Sequence, residues 1–352
     1  MKVGITGFAR SGKTTLFNAL TGAHAAVGAY GSRDANVAVI KVPDERVDRL
    51  TEIYQPRKVT YAEIEFVDVA PAEAGGEQQA LDETSLHLLK NTEALVHVVR
   101  AFENPSVIHP LGGVGPVRDV DALEEELKLA DLIIIERRIE RLEKENKRDR
   151  EYEVVCRCRD HIEAGKPLRT LELTEQEEKT IQGFTFLSQK PLMLVANYGE
   201  NRIGEEDPAG LAAYAAEHAL TLIHLCGAME MEIAELEESE RAEFRQDLGL
   251  GEESKTAFIR AAYHMLGLIS FLTVGEPEVH AWTITRGTRA VDAAGVIHSD
   301  IKRGFIRAET IAYDEFMRAG SMPKAKELGL VRLEGKDYVV QDGDIILFRF
   351  NV

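Results

Sequence analysis

Eight residues, G-F-A-R-S-G-K-T at positions 7–14, constrain this chain more than any other stretch. They fit the pattern G-x-x-x-x-G-K-[ST], follow a buried-strand pattern at residues 3–6 and open a helix pattern at residues 13–20. That strand–loop–helix context is the one this motif requires. Glycines let the backbone wrap close to a phosphate, and successive N–H groups from Arg10 to Thr15 point inward at the helix N-terminus. Lys13 reaches the β- and γ-phosphates, and the Thr14 hydroxyl is placed on Mg²⁺. Arg10 is unusual inside such a loop. Its side chain turns to phosphate, reaches a partner or points into solvent, and solvent is favoured.

The loop belongs to an α/β pattern. Strand patterns at residues 37–42, 60–69 and 94–99 alternate with helix patterns at 44–53 and 81–90, which argues for a mostly parallel sheet. From residue 120 to about 188 the chain reads as charge-rich helix. Leu132, Ile135, Ile139 and Leu142 keep heptad-like spacing, so one apolar stripe faces a partner helix. The α/β pattern resumes at P-L-M-L-V-A-N, residues 191–197, so the helical block is an insertion. From residue 269 short β runs with short helical pieces suggest a small α+β domain of the β-grasp kind. The expected parts are a discontinuous α/β domain (residues 1–117 and 190–268), a helical insert (118–189) and a C-terminal domain (269–352).

Two further loops bear on chemistry. Asp68 ends an alternating apolar run and opens V-D-V-A-P-A-E-A-G-G, the place of a metal-binding carboxylate. Such a loop should next offer a glycine N–H to phosphate, but Pro71 stands there and proline has no N–H. The other is N-Y-G-E, residues 197–200, directly after the strand L-M-L-V-A. A guanine site reads N-K-x-D at this position. Here Tyr198 replaces the lysine and the longer Glu200 replaces the aspartate, so the guanine clamp is not intact and adenine is at least as well accommodated. The C-G-A-M loop, with Gly227, Ala228 and Met229, is the expected closing wall of the base pocket.

Composition narrows the partners. The formal net charge of -18 excludes a general nucleic-acid coating protein, so contact with RNA must use local patches. One such patch is residues 137–150, with seven basic and four acidic side chains. No leader pattern and no run of membrane-spanning length is present, and three cysteines fit a reduced compartment, so the expectation is a cytoplasmic protein without membrane contact. The pair Cys156 and Cys158 is read as ordinary helix thiols, because no second ligand pair stands at metal spacing. No DNA sequence recognition is expected.

With these residues in view, the chain resembles the YchF, or Obg-like, ATPases of the translation-factor class. The phosphate loop G-F-A-R-S-G-K-T-T-L-F-N-A-L-T is similar to the family's G-x-P-N-V-G-K-S-T-x-F-N-x-L-T. V-P-D-E-R-V-D-R-L, V-V-R-A-F-E and the N-x-x-E loop also recur. The longest match is V-H-A-W-T-I-T-R-G-T-R-A-V-D-A-A-G-V-I-H-S-D-I-K-R-G-F-I-R-A-E-T-I followed by D-G-D-I-I-L-F-R-F-N-V, which is similar to the family's C-terminal TGS domain, a β-grasp module. The resemblance covers essentially the whole chain. It implies a P-loop G domain, a coiled-coil insert and a TGS domain, ATP preferred over GTP, slow Mg²⁺-dependent hydrolysis, and association with the ribosome or its RNA through the insert and the TGS domain. Carried over by position, Ala9, Arg10, Ser11, Gly12, Lys13, Thr14 and Thr15 hold the phosphates, with Lys13 as the catalytic cation. Thr14, Ser32 and Asp68 serve the metal. Phe102, Asn197, Tyr198, Glu200, Gly227, Ala228 and Met229 surround the base. Around Ser32 the chain reads G-S-R-D-A-N where the family has C-T-I-E-P-N. After Asp68 it reads D-V-A-P-A-E-A-G-G where the family has D-x-A-G-L-V-x-G-A. The hydrogen bond withdrawn at Pro71 is worth roughly 1.5–3 kcal/mol, or about 3–4 kcal/mol if it serves the transition state. A non-hydrolysing ATP-binding adaptor is therefore the alternative expectation. A GTPase is the reading that Tyr198 and Glu200 disfavour.

Overall fold

The computed structural model describes residues 1–21, 35–69, 80–247 and 254–351. In chain order come β1 (Lys2–Thr6), α1 (Lys13–Thr21), β2 (Asn36–Lys41), α2 (Glu45–Tyr54), β3 (Lys58–Thr60), β4 (Glu63–Asp68), α3 (Glu83–Lys90) and β5 (Ala94–Ala101). The helical stretch holds α4 (Pro116–Lys144), α5 (Arg150–Glu163) and α6 (Glu175–Ile181). Then follow β6 (Leu192–Tyr198), α7 (Ala212–Glu217), β7 (Thr221–Leu225), α8 (Gly227–Glu235), α9 (Glu238–Asp247) and α10 (Ser254–Met265). The last part contains β8 (Leu268–Thr273), β9 (Glu278–Thr285), α11 (Ala290–Ile297), α12 (Ser299–Arg303), β10 (Phe305–Ala312), α13 (Tyr313–Ala319), α14 (Met322–Glu327), β11 (Arg332–Glu334) and β12 (Asp344–Phe350). No helix of the described residues is long and apolar enough to cross a membrane.

The chain forms two compact units, Met1–Ile40 with Glu65–Phe258, and Lys41–Ile64 with Ile259–Val352. The expected insert, residues 118–189, thus packs with the first unit, and residues 41–64 pack with the C-terminal unit.

The first unit is built on a six-stranded sheet in the order β2-β4-β1-β5-β6-β7. β1 pairs in parallel with both β4 and β5, and β5, β6 and β7 continue in parallel. All eight residues of β5 are buried, as the apolar run A-L-V-H-V-V-R-A requires of a central parallel strand covered on both faces. The loop after β1 therefore emerges at the C-terminal edge of the sheet, where α/β folds place their ligands. α3 starts where Asp82 accepts a hydrogen bond from Ser85 N–H at 2.7 Å.

The helices α4 and α5 form an antiparallel hairpin. Ile135, Ile139 and Leu142 of the heptad stripe are buried against Val154, Val155, Cys158 and Ile162, and Leu132 packs at the edge of this cluster. Pro116 opens α4, where a missing N–H costs nothing, and the Asp149 side chain caps α5 by accepting from Glu151 and Tyr152 N–H. Midway along α4, buried Asp131 accepts from Leu187 N–H, Ser188 N–H and the Ser188 hydroxyl at 2.7–2.8 Å, which ties the helix to the segment before β6.

The second unit has a mixed sheet in the order β11-β10-β12-β8-β9-β3. β10 runs antiparallel to β11 and β12, and β12 parallel to β8. α11 lies on this sheet through Ala290, Ala293 and Ala294, fully buried beside Phe271, Ile284, Phe305 and Ile346. Alanines on the contact face let the helix approach closely, which gives the β-grasp arrangement that the sequence texture suggests.

One element departs from the sequence expectation. The strand expected at residues 60–69 is β4, Glu63–Asp68, and the first residue of that expected run, Thr60, belongs instead to a separate short strand, β3. β3 pairs in parallel with β9 (Lys58↔Glu278, Thr60↔His280), whereas β4 pairs with β1 (Lys2↔Glu65, Ile5↔Asp68). The apolar alternation shifts phase between them, from Val59 and Tyr61 to Ala62, Ile64 and Phe66. What divides them is the choice of partner strand, and both partners are distant in sequence.

Candidate functional site: the phosphate loop and its walls

Two glycines shape the phosphate loop. Gly7 (φ +139°) and Gly12 (φ +94°) take backbone conformations that side chains avoid. A Cβ on Gly7 would stand 2.5 Å from the Val98 carbonyl oxygen, and one on Gly12 would stand 2.1 Å from Asn197 Nδ2. Ser11 N–H turns back to the Phe8 carbonyl at 3.3 Å, and the first bond of α1 runs from Leu16 N–H to the Gly12 carbonyl at 2.9 Å. The N–H groups of Lys13, Thr14 and Thr15 are first-turn donors without intrahelical acceptors, the usual cradle for an anion.

Lys13 is buried, and its Nζ donates to the carbonyls of Gly7 and Phe8 at 2.7 and 2.8 Å. Burial pushes its pKa down to about 8, against the opposing pull of the Asp68 charge. Asp68 closes the site from the end of β4. Its Oδ2 accepts from the Thr14 hydroxyl at 3.0 Å and from Asn36 Nδ2 at 3.2 Å, while Oδ1 is buried with no partner among the described residues. An orphaned carboxylate oxygen beside a hydroxyl is a hard, anionic donor set of the kind Mg²⁺ takes. Asn36 was not foreseen from sequence; it is the first residue of β2, and only the adjacency of β2 and β4 brings it to Asp68. Ser32 and Pro71 lie outside the described residues.

Asn197 is a structural clip. Its Nδ2 donates to the Ser11 carbonyl at 2.9 Å and its Oδ1 accepts from Gly227 N–H at 3.0 Å. One buried amide thus joins the phosphate loop, the end of β6 and the start of α8. Tyr198 is half-buried and packs against Cys226, Met229 and Ile233. Glu200 is exposed at the start of a short 3₁₀ turn, Glu200–Arg202. Phe102 lies beside this loop: a Cβ on Gly199 would touch its Cβ at 3.4 Å. The Arg100 guanidinium sits 4.6 Å from the centre of the Phe102 ring. Of the closing loop, Gly227 is buried under Asn197, Ala228 is exposed and Met229 faces the small core below. The predicted base-site residues are therefore neighbours, but Asn197 and Met229 serve the framework with their side chains.

Four more residues gather here that sequence reading passed over: His97, Arg100, His109 and Asp119. His97 is fully buried in β5 with neither ring nitrogen partnered among the described residues, and burial, helped by the Lys13 charge, pushes its pKa down to about 3. Its Cδ2 lies 3.1 Å from where a Gly7 Cβ would be. A histidine inside an aliphatic run, V-H-V-V, was the signal available. Buried Arg100 donates to the carbonyls of Phe102 (3.1 Å) and Val107 (2.9 Å). Arg10, exposed as expected, donates to the Ile108 carbonyl at 3.1 Å. His109 Nδ1 accepts from Leu111 N–H at 3.1 Å, and its Nε2 lies 2.8 Å from Asp119 Oδ2, both side chains buried.

Outside this site, the basic hairpin tip is largely self-neutralised. Arg138 is bidentate to Glu151, Arg141 and Lys147 share Glu145, and Lys144 pairs with Glu140. Arg137, Arg148 and Arg150 carry the excess charge. Two cavities, of 620 Å³ beside Lys190 and 460 Å³ in the second sheet's unit, lie away from the phosphate loop. The first is walled by Lys190, whose Nζ is occupied by the carbonyls of Leu89, Lys90 and Thr92. Among the described residues no cluster of three His, Cys, Asp or Glu side chains gathers as a metal site, and Cys156 and Cys158 are free thiols on α5.

Comparison with known proteins agrees with this layout. Residues 2–135 match a family model described as "50S ribosome-binding GTPase", and residues 268–351 match the model of the C-terminal region of YchF GTPases, described as a protein of unknown function. The "Ribosome-binding ATPase YchF" of Bacillus subtilis is 42% identical over 364 residues, covering 100% of both chains. That of Pasteurella multocida is 42% identical over 361 residues, covering 100% of this chain and 99% of the relative. The solved structure of the Schizosaccharomyces pombe YchF GTPase superposes with a TM-score of 0.88 at 28% identity, covering 99% of this chain and 97% of that one.

Proposed function

The chain belongs to the YchF family, and from that premise we propose that it binds ATP with Mg²⁺ on its phosphate loop, hydrolyses it slowly and works at the ribosome. The observation that carries the nucleotide reading is the Thr14–Asp68 contact beside Lys13 and the free N–H groups of α1. Thr14 and Asp68 would hold Mg²⁺, which supplies positive charge against the phosphates. Lys13 exchanges the Gly7 and Phe8 carbonyls for phosphate oxygens, trading neutral acceptors for charged ones. The N–H groups of Lys13, Thr14 and Thr15 bind and orient the phosphates, and the Asn197 clip keeps them in register. Positioning and electrostatics of this kind supply most of the catalysis in phosphoryl transfer. Water is the nucleophile, and no side chain of the described site is aimed to activate it, which fits a slow enzyme.

Adenine is the base that fits Tyr198 and Glu200, since neither reproduces the lysine stem and paired acceptor of a guanine clamp. Phe102, next to Gly199, supplies an apolar wall. Calorimetry with ATP and GTP side by side tests this, and a tighter complex with GTP would overturn it. The relatives are named as ribosome-binding, and Arg137, Arg148 and Arg150 offer the cationic part of such a contact, with the C-terminal unit as the second. Ribosome pelleting across a salt series should then show binding that weakens with salt.

Pro71 favours one alternative within the same family, an ATP-binding adaptor that does not turn over. Single-turnover hydrolysis separates the two: a wild-type rate no higher than that of Lys13→Ala removes the ATPase reading and leaves the adaptor.

A further inference from the structure

The last two residues of β5 lie beside the N-Y-G-E loop, since Arg100 pairs with Asn197 and Ala101 with Tyr198. Phe102 is the first residue beyond the strand. It is half-buried, with its Cβ 3.4 Å from where a Gly199 Cβ would stand. Arg100 holds it. The Arg100 side chain is buried and donates through Nε to the Phe102 carbonyl at 3.1 Å and through Nη2 to the Val107 carbonyl at 2.9 Å. The same guanidinium lies over the Phe102 ring, 4.6 Å from its centre. Asn104 braces the turn between the two carbonyls: its side chain accepts from Ser106 N–H and its carbonyl from Val107 N–H, each at 3.0 Å. One arginine thus fixes the backbone at Phe102, the turn that follows and the ring itself.

We propose that Arg100 is a positioning residue for the base of the bound nucleotide: it presets the Phe102 ring as a stacking wall and makes the site select purines over pyrimidines. The proposal rests on reading the phosphate loop as a nucleotide site with Phe102 as a wall of the base pocket. Three arguments carry it. A guanidinium is costly to bury, and two neutral carbonyls compensate it only in part. The ring face is the further contact, and a cation within about 6 Å of a ring centre is attracted to it. With one face of the ring covered by the cation, a base can stack only on the other, so the clamp fixes where the base goes. A ring already held loses less freedom when a base stacks on it, so a preset wall binds more tightly than a free one. Stacking on an aromatic side chain is worth roughly five- to a hundredfold in affinity and needs only a π-face. The two fused rings of a purine offer a larger face than the single ring of a pyrimidine. The effect of Arg100 therefore belongs to the base and not to the phosphates.

The test uses the full chain and calorimetry with Mg²⁺–ATP, Mg²⁺–CTP and Mg²⁺–tripolyphosphate, the last offering phosphates without a base. Arg100→Met keeps the apolar stem and removes the clamp. It should weaken ATP roughly tenfold, lower the preference for ATP over CTP and change tripolyphosphate by less than about twofold. Arg100→Lys keeps the charge but not the planar stack, so it tests the same point should Arg100→Met fail to fold, with the same base-selective loss at smaller size. Phe102→Leu should likewise lose ATP and spare tripolyphosphate, and Arg100→Met should add little in that background. Equal losses of ATP and tripolyphosphate would mean a role in the fold alone and overturn the proposal, as would an unchanged ATP affinity or additive losses in the double variant. A wild type that binds tripolyphosphate as tightly as ATP overturns the wall reading of Phe102, and this proposal with it, but leaves the phosphate site. A wild type that binds neither overturns the nucleotide reading as well.

Discussion

Asn197 spans two loops with one amide, and its replacement by alanine measures how far the phosphate cradle depends on it. The side chain is 4% exposed and makes two bonds, to the Ser11 carbonyl and from Gly227 N–H. Alanine leaves a buried acceptor and a buried donor unpaired, at about 1–3 kcal/mol each. The middle of that range gives a loss of about 4 kcal/mol in the first unit, or roughly 8–16 °C in its melting temperature at 2–4 °C per kcal/mol for a domain of this size. Nucleotide affinity should fall by more than about tenfold, because the Ser11–Gly12 backbone loses its fixed position. Asn197→Asp sharpens the test: it keeps the acceptor for Gly227 but sets a carboxylate oxygen against the Ser11 carbonyl, so it should not rescue. The clip also explains Gly12, whose Cβ would meet Asn197 Nδ2 at 2.1 Å. In a double-mutant cycle, Gly12→Ala should therefore cost less in the Asn197→Ala background than in the wild type, the remainder reflecting φ +94°. Urea and thermal unfolding with ATP calorimetry would check all of this. Alanine at 197 with an unchanged melting temperature and unchanged ATP affinity would refute the reasoning.

Three further outcomes follow from the same geometry. His97 is neutral in the fold down to about pH 3, whereas the unfolded chain takes up its proton near 6.5, so the stability it carries above pH 6.5 is lost as pH falls toward 3. His97→Leu should flatten the acid limb of the stability curve by up to about 1.4 kcal/mol per pH unit, as measured by denaturant titration between pH 4 and 6.5. Lys13 has its pKa lowered to about 8, and bound phosphate would hold the proton on it. ATP affinity is therefore full below pH 8 and declines above it, by up to about tenfold per unit, with proton uptake visible as buffer-dependent calorimetric heat. Lys13→Met should remove that dependence along with most of the affinity. Asp131→Ala strands the N–H groups of Leu187 and Ser188 at the root of the helical hairpin and should cost about 2–5 kcal/mol by urea unfolding, with Asp131→Asn costing less.

The arrangement of the site shows where local pattern suffices and where it fails. The phosphate loop was legible because its demands are local: positive φ at Gly7 and Gly12, a lysine and a hydroxyl at fixed offsets, and a strand before and a helix after. The buried run of β5 and the heptad stripe of α4 were legible for the same reason, since a period of residues fixes a face. Asp68 was identified by its place at a strand end. Its bond to Asn36 was not, because it depends on which strand lies next to β4.

The sequence by itself therefore determined the kinds of elements, the conformations its glycines must take and the residues able to meet a phosphate. Tertiary structure alone decided partners. It set Thr60 and Glu63–Asp68 in different sheets, bonded Asn197 to both the phosphate loop and the start of α8, set Arg10 on the Ile108 carbonyl and buried His97 behind Gly7. The reason is physical: backbone conformation and amphipathic period are properties of neighbours in the chain, whereas strand order, burial and hydrogen-bond partners are settled by contacts between residues tens to hundreds of positions apart.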